Sequence, residues 1–229
     1  MTTTATTNFA PSTGNMVLNA FSRNQIFGAK ITTEHLVQAE IEANLIQVKY
    51  ANLQPNLYLS NLTPLSLTQG IATYTLPATV VDILIIYMTT TQGGVSTDRV
   101  LGPLSTVEYA ALPNKTVQGA PTSYFWNRLI NPTLTIWPVP DGTATYTLNY
   151  RFWRQAYDAS ARSGYTPDMP YRWLDAYSWE LTARMAAHYA PANFDRWQGM
   201  ADKAWRDAAG EDSENVNIYL TPGLGSYYK

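Results

Sequence analysis

The 229-residue chain lacks cysteine altogether and contains only two histidines. The absence of cysteine excludes disulfide bonds and thiolate metal sites, and it fits a reducing compartment. The two histidines, His35 and His188, lie far apart on separate predicted helices, and the sequence has neither a His-Glu-x-x-His motif nor a phosphate-binding glycine loop. A Gly-x-Ser-x-Gly nucleophile motif is missing as well. We therefore expect no cofactor, no metal and no enzymatic activity.

Charged residues are scarce, at 14% of the chain against about 25% in a typical soluble protein. The formal net charge is −2, and lysine and arginine form no cluster of the kind that binds a nucleic-acid backbone. Aromatic residues are abundant, with 7 tryptophans and 16 tyrosines. Because these side chains combine a large apolar ring with a polar group, they suit interfaces as well as cores. The composition fits either an aromatic core or a surface that partners cover.

Long hydrophobic runs are also missing from the sequence. The longest run, residues 80–88, is interrupted by Asp82 and is far shorter than the roughly 20 residues that cross a bilayer. The first 15 residues have neither the basic region nor the apolar region of a signal peptide. We expect a soluble protein that is made in the cytoplasm and has no membrane partner.

Segments of different composition follow one another along the chain. Residues 1–18 contain few large apolar groups, which predicts a flexible arm. Residues 19–56 and 165–210 show helical periodicity, whereas residues 57–156 alternate polar and apolar side chains as half-buried strands do. We predict an α+β fold in which N-terminal and C-terminal helices form one bundle, with an antiparallel β-rich domain inserted between them.

The N-terminal helical segment is predicted to contain two helices. The first is short and spans Phe21 to Ala29, and Thr32 or Thr33 is expected to cap the second. Apolar residues recur at helical spacing along the second helix, so one of its faces is predicted to be buried. The residues of that face are Leu36, Val37, Ile41, Leu45 and Val48.

The C-terminal helical segment is also predicted to contain two helices. Pro170 suits the first turn of one helix, and Pro191 ends it. Its core-facing stripe is expected to consist of Trp173 or Leu174, Tyr177, Leu181, Met185, and His188 or Tyr189. Asn193 is expected to cap the next helix, which should stop at Gly210. We interpret His188 as a core or interface residue.

The β-rich segment is predicted to hold about six or seven antiparallel strands. Residues 80–88 are β-branched and apolar, which predicts a strand that is buried on both faces. The spacing of Ser105 and Glu108 is that of a capping box and predicts a short helix. The dipeptide Asp141-Gly142 predicts a β-hairpin turn.

The last segment, residues 211–229, carries several large apolar side chains but has no helical period. Burying them would not offset the cost of ordering the whole segment, which is about 1–2 kcal/mol for each backbone residue. We therefore predict an extended tail that docks on a partner, with packing on its own domain as the alternative. The predicted docking residues are Ile218, Tyr219, Leu220, Leu224, Tyr227 and Tyr228.

Seven short motifs occur in a distinctive order between residues 20 and 210. They are Gly-x-Ala-x-Tyr-x-Leu-Pro (Gly70 to Pro77), Leu-Ser-x-x-Glu-Tyr (Leu104 to Tyr109), Gly119-Ala-Pro121, Tyr124-Phe125-Trp126, Leu-Thr-Ile-Trp-Pro-x-Pro (Leu134 to Pro140), Tyr150-Arg151 and Pro170-x-x-Trp173. In this order and spacing the chain resembles the head-to-tail adaptor proteins of short-tailed, podovirus-like bacteriophages and of some other tailed bacteriophages.

The resemblance implies a helical bundle interrupted by a β-rich domain. It also implies a ring, commonly of twelve subunits, in the virion neck beneath the portal protein. Such a ring extends the DNA channel, lets the genome pass without binding it specifically, and offers a platform to tail or nozzle proteins. Family members often reach the portal through an extended C-terminal segment, which matches the interpretation of residues 211–229.

Four aromatic residues of the β-rich segment are candidates for contacts with neighbouring subunits or tail proteins, namely Tyr109, Tyr124, Trp126 and Trp137. Two other functions stay open. The aromatic side chains could instead belong to a carbohydrate-binding or receptor-binding virion module. A cell-wall hydrolase is the third hypothesis, since a catalytic pair of carboxylates can come together only in three dimensions.

Overall fold

The computed structural model describes residues 5–53, 57–161 and 164–212. Helices and two β-sheets make up this part of the chain, which confirms the α+β class. The α-helices are α1 (Thr13–Arg23), α2 (Thr33–Leu53), α3 (Thr106–Ala111), α4 (Leu174–Tyr189) and α5 (Phe194–Glu211). The strands are β1 (Ser60–Ser66), β2 (Thr73–Thr75), β3 (Val80–Gln92), β4 (Val95–Val100), β5 (Gly102–Leu104), β6 (Ser123–Asn127), β7 (Thr133–Trp137) and β8 (Thr145–Arg154).

Helix α4 lies at the centre of the helical part and packs against α1, α2 and α5. Its predicted core-facing side chains, from Trp173 at its start to Met185, are buried as the periodicity indicates. The cap predicted for α5 is wrong, because the Asn193 side chain makes no capping hydrogen bond. A 3-10 turn, Pro191–Asn193, leads directly into α5 and gives Asn193 a helical backbone, so α5 has no extended residue before it to act as a cap. Helix α5 also continues one residue beyond Gly210, to Glu211.

Helix α1 corrects the prediction of a flexible arm for residues 13–18, the C-terminal part of the segment 1–18. Ser12 caps this helix by accepting a hydrogen bond from the Asn15 amide at 3.2 Å, and the side chains of Met16 and Val17 are buried against α4 and its neighbours. Contacts with distant parts of the chain fix its start. The Thr13 amide donates to the Tyr165 carbonyl oxygen, and a Cβ on Gly14 would lie only 2.7 Å from the Ala161 carbonyl oxygen.

The short helix predicted from Phe21 to Ala29 is wrong, since α1 already ends at Arg23. The reason is the backbone of Gln25, whose φ of +63° is incompatible with a continuing right-handed helix. The Arg23 side chain then secures the helix end to α4. Its guanidinium lies 3.7 Å from the centre of the Trp179 ring and donates to Ser178 Oγ at 3.1 Å.

Helix α2 is turned the opposite way from the prediction. The residues that face the core are Ala39, Ala43, Ile46, Gln47 and Tyr50, all less than a tenth exposed. The five predicted core residues, Leu36, Val37, Ile41, Leu45 and Val48, are exposed. Periodicity identifies an apolar face but not the partner that covers it, and small alanines allow α4 to approach from the other side.

The β-rich part consists of two four-stranded sheets that share one hydrophobic core. The strand orders are β1-β8-β3-β4 and β2-β7-β6-β5. Ile86 and Leu148 from the first sheet meet Leu134 and Ile136 from the second, and all four are completely buried. The pairs are antiparallel except for β5 and β6, which run parallel. The described residues thus contain eight strands, one or two more than predicted.

Two further β-strand predictions are corrected. Asp141-Gly142 does not form a hairpin, because β7 and β8 belong to different sheets and the turn carries the chain between them. The Asp141 carboxylate holds this turn by accepting from the Thr143 amide at 3.0 Å and the Tyr146 hydroxyl at 3.0 Å. Strand β3 is not buried on both faces, since Val81 and Ile85 are exposed on the side away from the second sheet.

Polar contacts join the helical and β-rich parts where the chain returns from β8 towards α4. Asn44 of α2 makes two hydrogen bonds with the Ala159 backbone, at 2.9 and 2.8 Å. Asp168 accepts two hydrogen bonds from the Arg154 guanidinium, at 2.6 and 3.0 Å, and a third from the Tyr157 amide. These contacts fix the returning strand end beside the helical core.

Candidate interaction surfaces

The organising feature around Tyr109 is the capping box that the sequence predicts. The Glu108 amide donates to Ser105 Oγ at 3.2 Å, and the Ser105 amide donates back to Glu108 Oε2 at 2.7 Å. This confirms the capping box and fixes the start of α3. Tyr109 then stacks on Phe125 of β6, with ring centroids 4.7 Å apart and an interplanar angle of 8°. One face of the Tyr109 ring is therefore occupied within the chain.

Tyr124 belongs to the core of the β-rich part rather than to its surface. It is 8% exposed and packs with the buried residues that the two sheets share. Burial raises the pKa of its hydroxyl, with a further contribution from the Asp82 carboxylate. Tyr124 therefore leaves little surface for a partner, and its interface role stays a prediction.

Trp126 and Trp137 are half-buried, and neighbouring groups hold both rings. The Arg128 guanidinium lies 4.6 Å from the centre of the Trp126 ring and pairs with Asp82 at 2.5 Å. Trp137 Nε1 donates to the Asn114 carbonyl oxygen at 3.0 Å. The interface roles of Tyr109, Trp126 and Trp137 stay predictions. The six docking residues of the tail, Ile218, Tyr219, Leu220, Leu224, Tyr227 and Tyr228, lie outside the described residues.

Helix α2 carries an exposed apolar surface that the sequence assigned to the core. Val37, Ile41, Leu45 and Val48 are 45–55% exposed and line the outward side of α2, here called the outer stripe. Successive helix residues rotate by about 100°, which places the outer stripe opposite the buried residues Ala39 and Ala43. One feature of the sequence could have indicated this exposed surface, because α2 has apolar residues on two opposite faces.

A groove of about 430 Å³ continues the outer stripe towards the β-rich part. Its apolar lining includes Val48 and Leu53 from α2, Val81 from β3 and Trp153 from β8. Val48 belongs to both the outer stripe and the groove, so the two surfaces are continuous. Polar and charged side chains such as Asp82 line the groove as well, so the path from the helical part to the first sheet is continuous but only partly apolar.

A network of charged side chains secures α2 to α4 beside the outer stripe. Glu180, 2% exposed, accepts from Lys49 Nζ at 2.8 Å and from Arg184 Nε at 3.0 Å. Arg184 also donates to Glu42 at 2.8 Å, and His188 Nε2 lies 3.1 Å from the other Glu42 oxygen. Burial alone would raise the pKa of Glu42, but the hydrogen bonds from Arg184 and His188 hold that pKa below its usual value. The network makes α2 a rigid support for the surface on its outward side.

Both histidines serve local structure. His188 belongs to the charged network, and His35 Nδ1 lies 3.0 Å from the Thr32 amide at the start of α2. Among residues 5–53, 57–161 and 164–212, no group of three or more His, Cys, Asp or Glu side chains has a geometry that could hold a metal ion. In the same part of the chain, no helix combines the length and apolar character needed to cross a membrane.

Comparison with known proteins gives a family for the chain. A search of curated proteins finds no match. The family model described as SU10 adaptor protein matches residues 31–220, well over half of the chain. The matched region includes α2, both sheets, α4 and α5. The chain therefore belongs to the SU10 adaptor protein family and is a bacteriophage adaptor protein.

Proposed function

We propose that the protein is a structural component of the virion neck, a head-to-tail adaptor of podovirus-like type. Copies of the chain form a ring beneath the portal protein, extend the DNA channel and present the attachment platform for tail or nozzle proteins. The observation that carries this proposal is the family match over residues 31–220. The number of subunits that we propose is twelve, as in the adaptors that the sequence resembles.

The architecture suits a load-bearing ring subunit. Two hydrophobic cores, one helical and one between the sheets, are joined by hydrogen bonds and an ion pair at the strand end near Arg154. The buried network around Glu180 adds a second rigid connection, between α2 and α4. Such a subunit fits a position between a portal and a tail.

A channel for DNA also requires a surface that does not hold the phosphate backbone. Lys and Arg contacts to phosphates are the main source of nonspecific DNA affinity, and each one adds to the binding. The chain has 15 Lys and Arg against 17 Asp and Glu, for a net charge of −2. This balance supports passage of the genome through the ring without specific binding.

The aromatic residues of the β-rich part support the adaptor over a carbohydrate-binding module. Sugar-binding platforms present flat aromatic faces to solvent, whereas Tyr124 is buried and one face of Tyr109 is stacked on Phe125. Arg128 lies against the Trp126 ring. We accordingly assign these rings to the structure of the β-rich part and to protein contacts.

The experiment that tests the proposed function measures binding of the purified chain to purified portal rings. The full-length chain should co-sediment with the portal, and a variant lacking residues 213–229 should not. Circular dichroism of the truncated variant should match that of the full-length chain, which separates a loss of docking from a loss of the fold. Normal portal binding by the truncated variant would contradict the assignment of portal docking to the tail. Failure of the full-length chain to bind would contradict the proposed function itself.

A further inference from the structure

The outer stripe of α2 has no covering partner within the described residues, although it has the composition of a protein core. Between Val37 and Val48 the outward side of the helix carries only aliphatic and amide side chains. The charged residues of this segment, Glu40 and Glu42, project to either side of the stripe, and Glu42 is engaged with Arg184. A surface helix of a soluble monomer normally places polar residues on the face that points away from its core.

The apolar surface extends beyond the helix. Trp153 lines the groove, and Arg151, two residues before it, points to the same side of β8. Leu62 of β1 and Ile85 of β3 lie directly opposite Arg151 in the two neighbouring strands, and both of these side chains are exposed. Leu62, Arg151 and Ile85 therefore form an outer sheet face that continues the groove.

The size of this surface indicates the kind of partner. The outer stripe runs about 16 Å along α2 and is about 10 Å wide, which gives about 160 Å². A stable protein interface takes about 800 Å² from each partner. The occupant must therefore also reach into the groove and over the outer sheet face, and a folded partner supplies a surface of that size.

The chemistry of the outer stripe indicates which kind of partner covers it. Interfaces between separately folded partners are enriched in Tyr, Trp and Arg, whereas permanent homo-oligomer interfaces resemble a domain core cut in half. The four side chains of the outer stripe, Val37, Ile41, Leu45 and Val48, are all aliphatic, and Trp153 and Arg151 lie beyond the stripe, in the groove and on the outer sheet face. We infer that a second copy of this chain packs on the outer stripe and its groove. This inference rests on the proposed function, because a ring supplies that second copy.

A closed ring makes the contact heterologous, so the outer stripe of one copy meets a different surface of the next copy. Substitutions on the stripe therefore disrupt every contact of the ring while changing only one side of each interface. They leave the helical core intact, because the core side chains Ala39, Ala43 and Ile46 lie on the other side of α2.

The test uses sedimentation velocity of the full-length chain over a range of concentrations. The variants Ile41→Glu and Leu45→Glu should each weaken self-association about tenfold or more, since a charge replaces a buried aliphatic group at the contact. Val107→Glu is the matched control, because Val107 is an aliphatic helix residue that is 77% exposed on α3. It should associate like the wild type, and all three variants should keep the wild-type circular dichroism.

A photo-crosslinker at position 41 identifies the occupant directly, in the free chain and in the chain bound to portal rings. The inference predicts adducts of twice the chain mass. Adducts only with the portal would overturn it, as would adducts only within one chain that disappear when residues 213–229 are deleted. Self-association without portal binding would contradict the proposed function but not this inference. A chain that stays monomeric and forms no chain-to-chain adduct, yet binds the portal, would contradict this inference but not the proposed function.

Discussion

The buried carboxylate of Glu180 offers a quantitative test of the link between α2 and α4. The substitution Glu180→Gln keeps the shape of the side chain and removes its charge. Glu180 accepts two charge-assisted hydrogen bonds, from Lys49 at 2.8 Å and Arg184 at 3.0 Å. Such bonds contribute about 1.5–3 kcal/mol each, against about 1 kcal/mol for neutral ones, so the two together lose about 2 kcal/mol. The loss stays moderate because Arg184 keeps its bond to Glu42 at 2.8 Å.

Thermal unfolding followed by far-ultraviolet circular dichroism measures this loss. A protein of this size shifts by about 2–4 °C for each kcal/mol, so the melting temperature of Glu180→Gln should fall by about 4–8 °C. The control is Glu40→Gln, on the same helix as Lys49 but outside the network, and its effect should stay within about 0.5 kcal/mol. If Glu180→Gln melts within about 1 °C of the wild type, the network does not stabilise the α2–α4 contact.

Two other changes probe α1 and the connection between the two parts. Phe21 is completely buried, so Phe21→Ala should lower the free energy of unfolding by about 3–5 kcal/mol in chemical denaturation, whereas the exposed Phe9→Ala should change little. Burial would raise the pKa of Asp168, but hydrogen bonds from Arg154 and the Tyr157 amide hold it below its usual value. The stability that this carboxylate contributes is therefore present above about pH 4 and is lost as the pH falls through the lowered pKa. Asp168→Asn should cost about 1–2 kcal/mol at pH 7, because the pair is partly exposed, and should flatten the acid dependence of stability below about pH 4. An unchanged acid dependence would contradict the role of this ion pair.

Local signals in the sequence predicted the features that depend on neighbouring residues. The capping box of Ser105 and Glu108 needs only residues three positions apart, and the structure contains both of its hydrogen bonds. The core-facing stripe of α4 was also predicted correctly, because a central helix has a continuous apolar face whichever elements cover it. The α+β class followed from the change of periodicity near residue 57.

The features that sequence missed depend on contacts between distant segments. Residues 13–18 looked like part of an arm because they contain few large apolar groups, but the chain near Tyr165 holds the start of α1. The sequence could not show which of the two apolar faces of α2 is buried, since the spacing of side chains does not reveal which face meets the core. Asp141-Gly142 has the composition of a hairpin turn, yet β7 pairs with β2 and β6 in one sheet and β8 pairs with β1 and β3 in the other. Residue type likewise could not distinguish Tyr124 in the core from Tyr109 near the surface.

The surface of α2 also explains why the candidate site was harder to predict than the fold. A residue such as Ile41 has the same physical requirement, removal from water, whether its own chain or another copy covers it. The sequence therefore predicts an apolar environment for Ile41 without showing whether the same chain or another molecule would supply it. The structure shows that the helical core formed by the described residues does not include the outer stripe.

The native mass of the complex between this chain and purified portal rings tests the central claim most directly. If the chain is a head-to-tail adaptor, the complex should have the mass of one portal plus a full ring of chains, twelve in the proposed assembly. Electron microscopy of the same sample should place the added density directly beneath the portal, around an open channel. A portal mass that stays unchanged in the presence of excess chain, or added density elsewhere on the particle, would contradict the account.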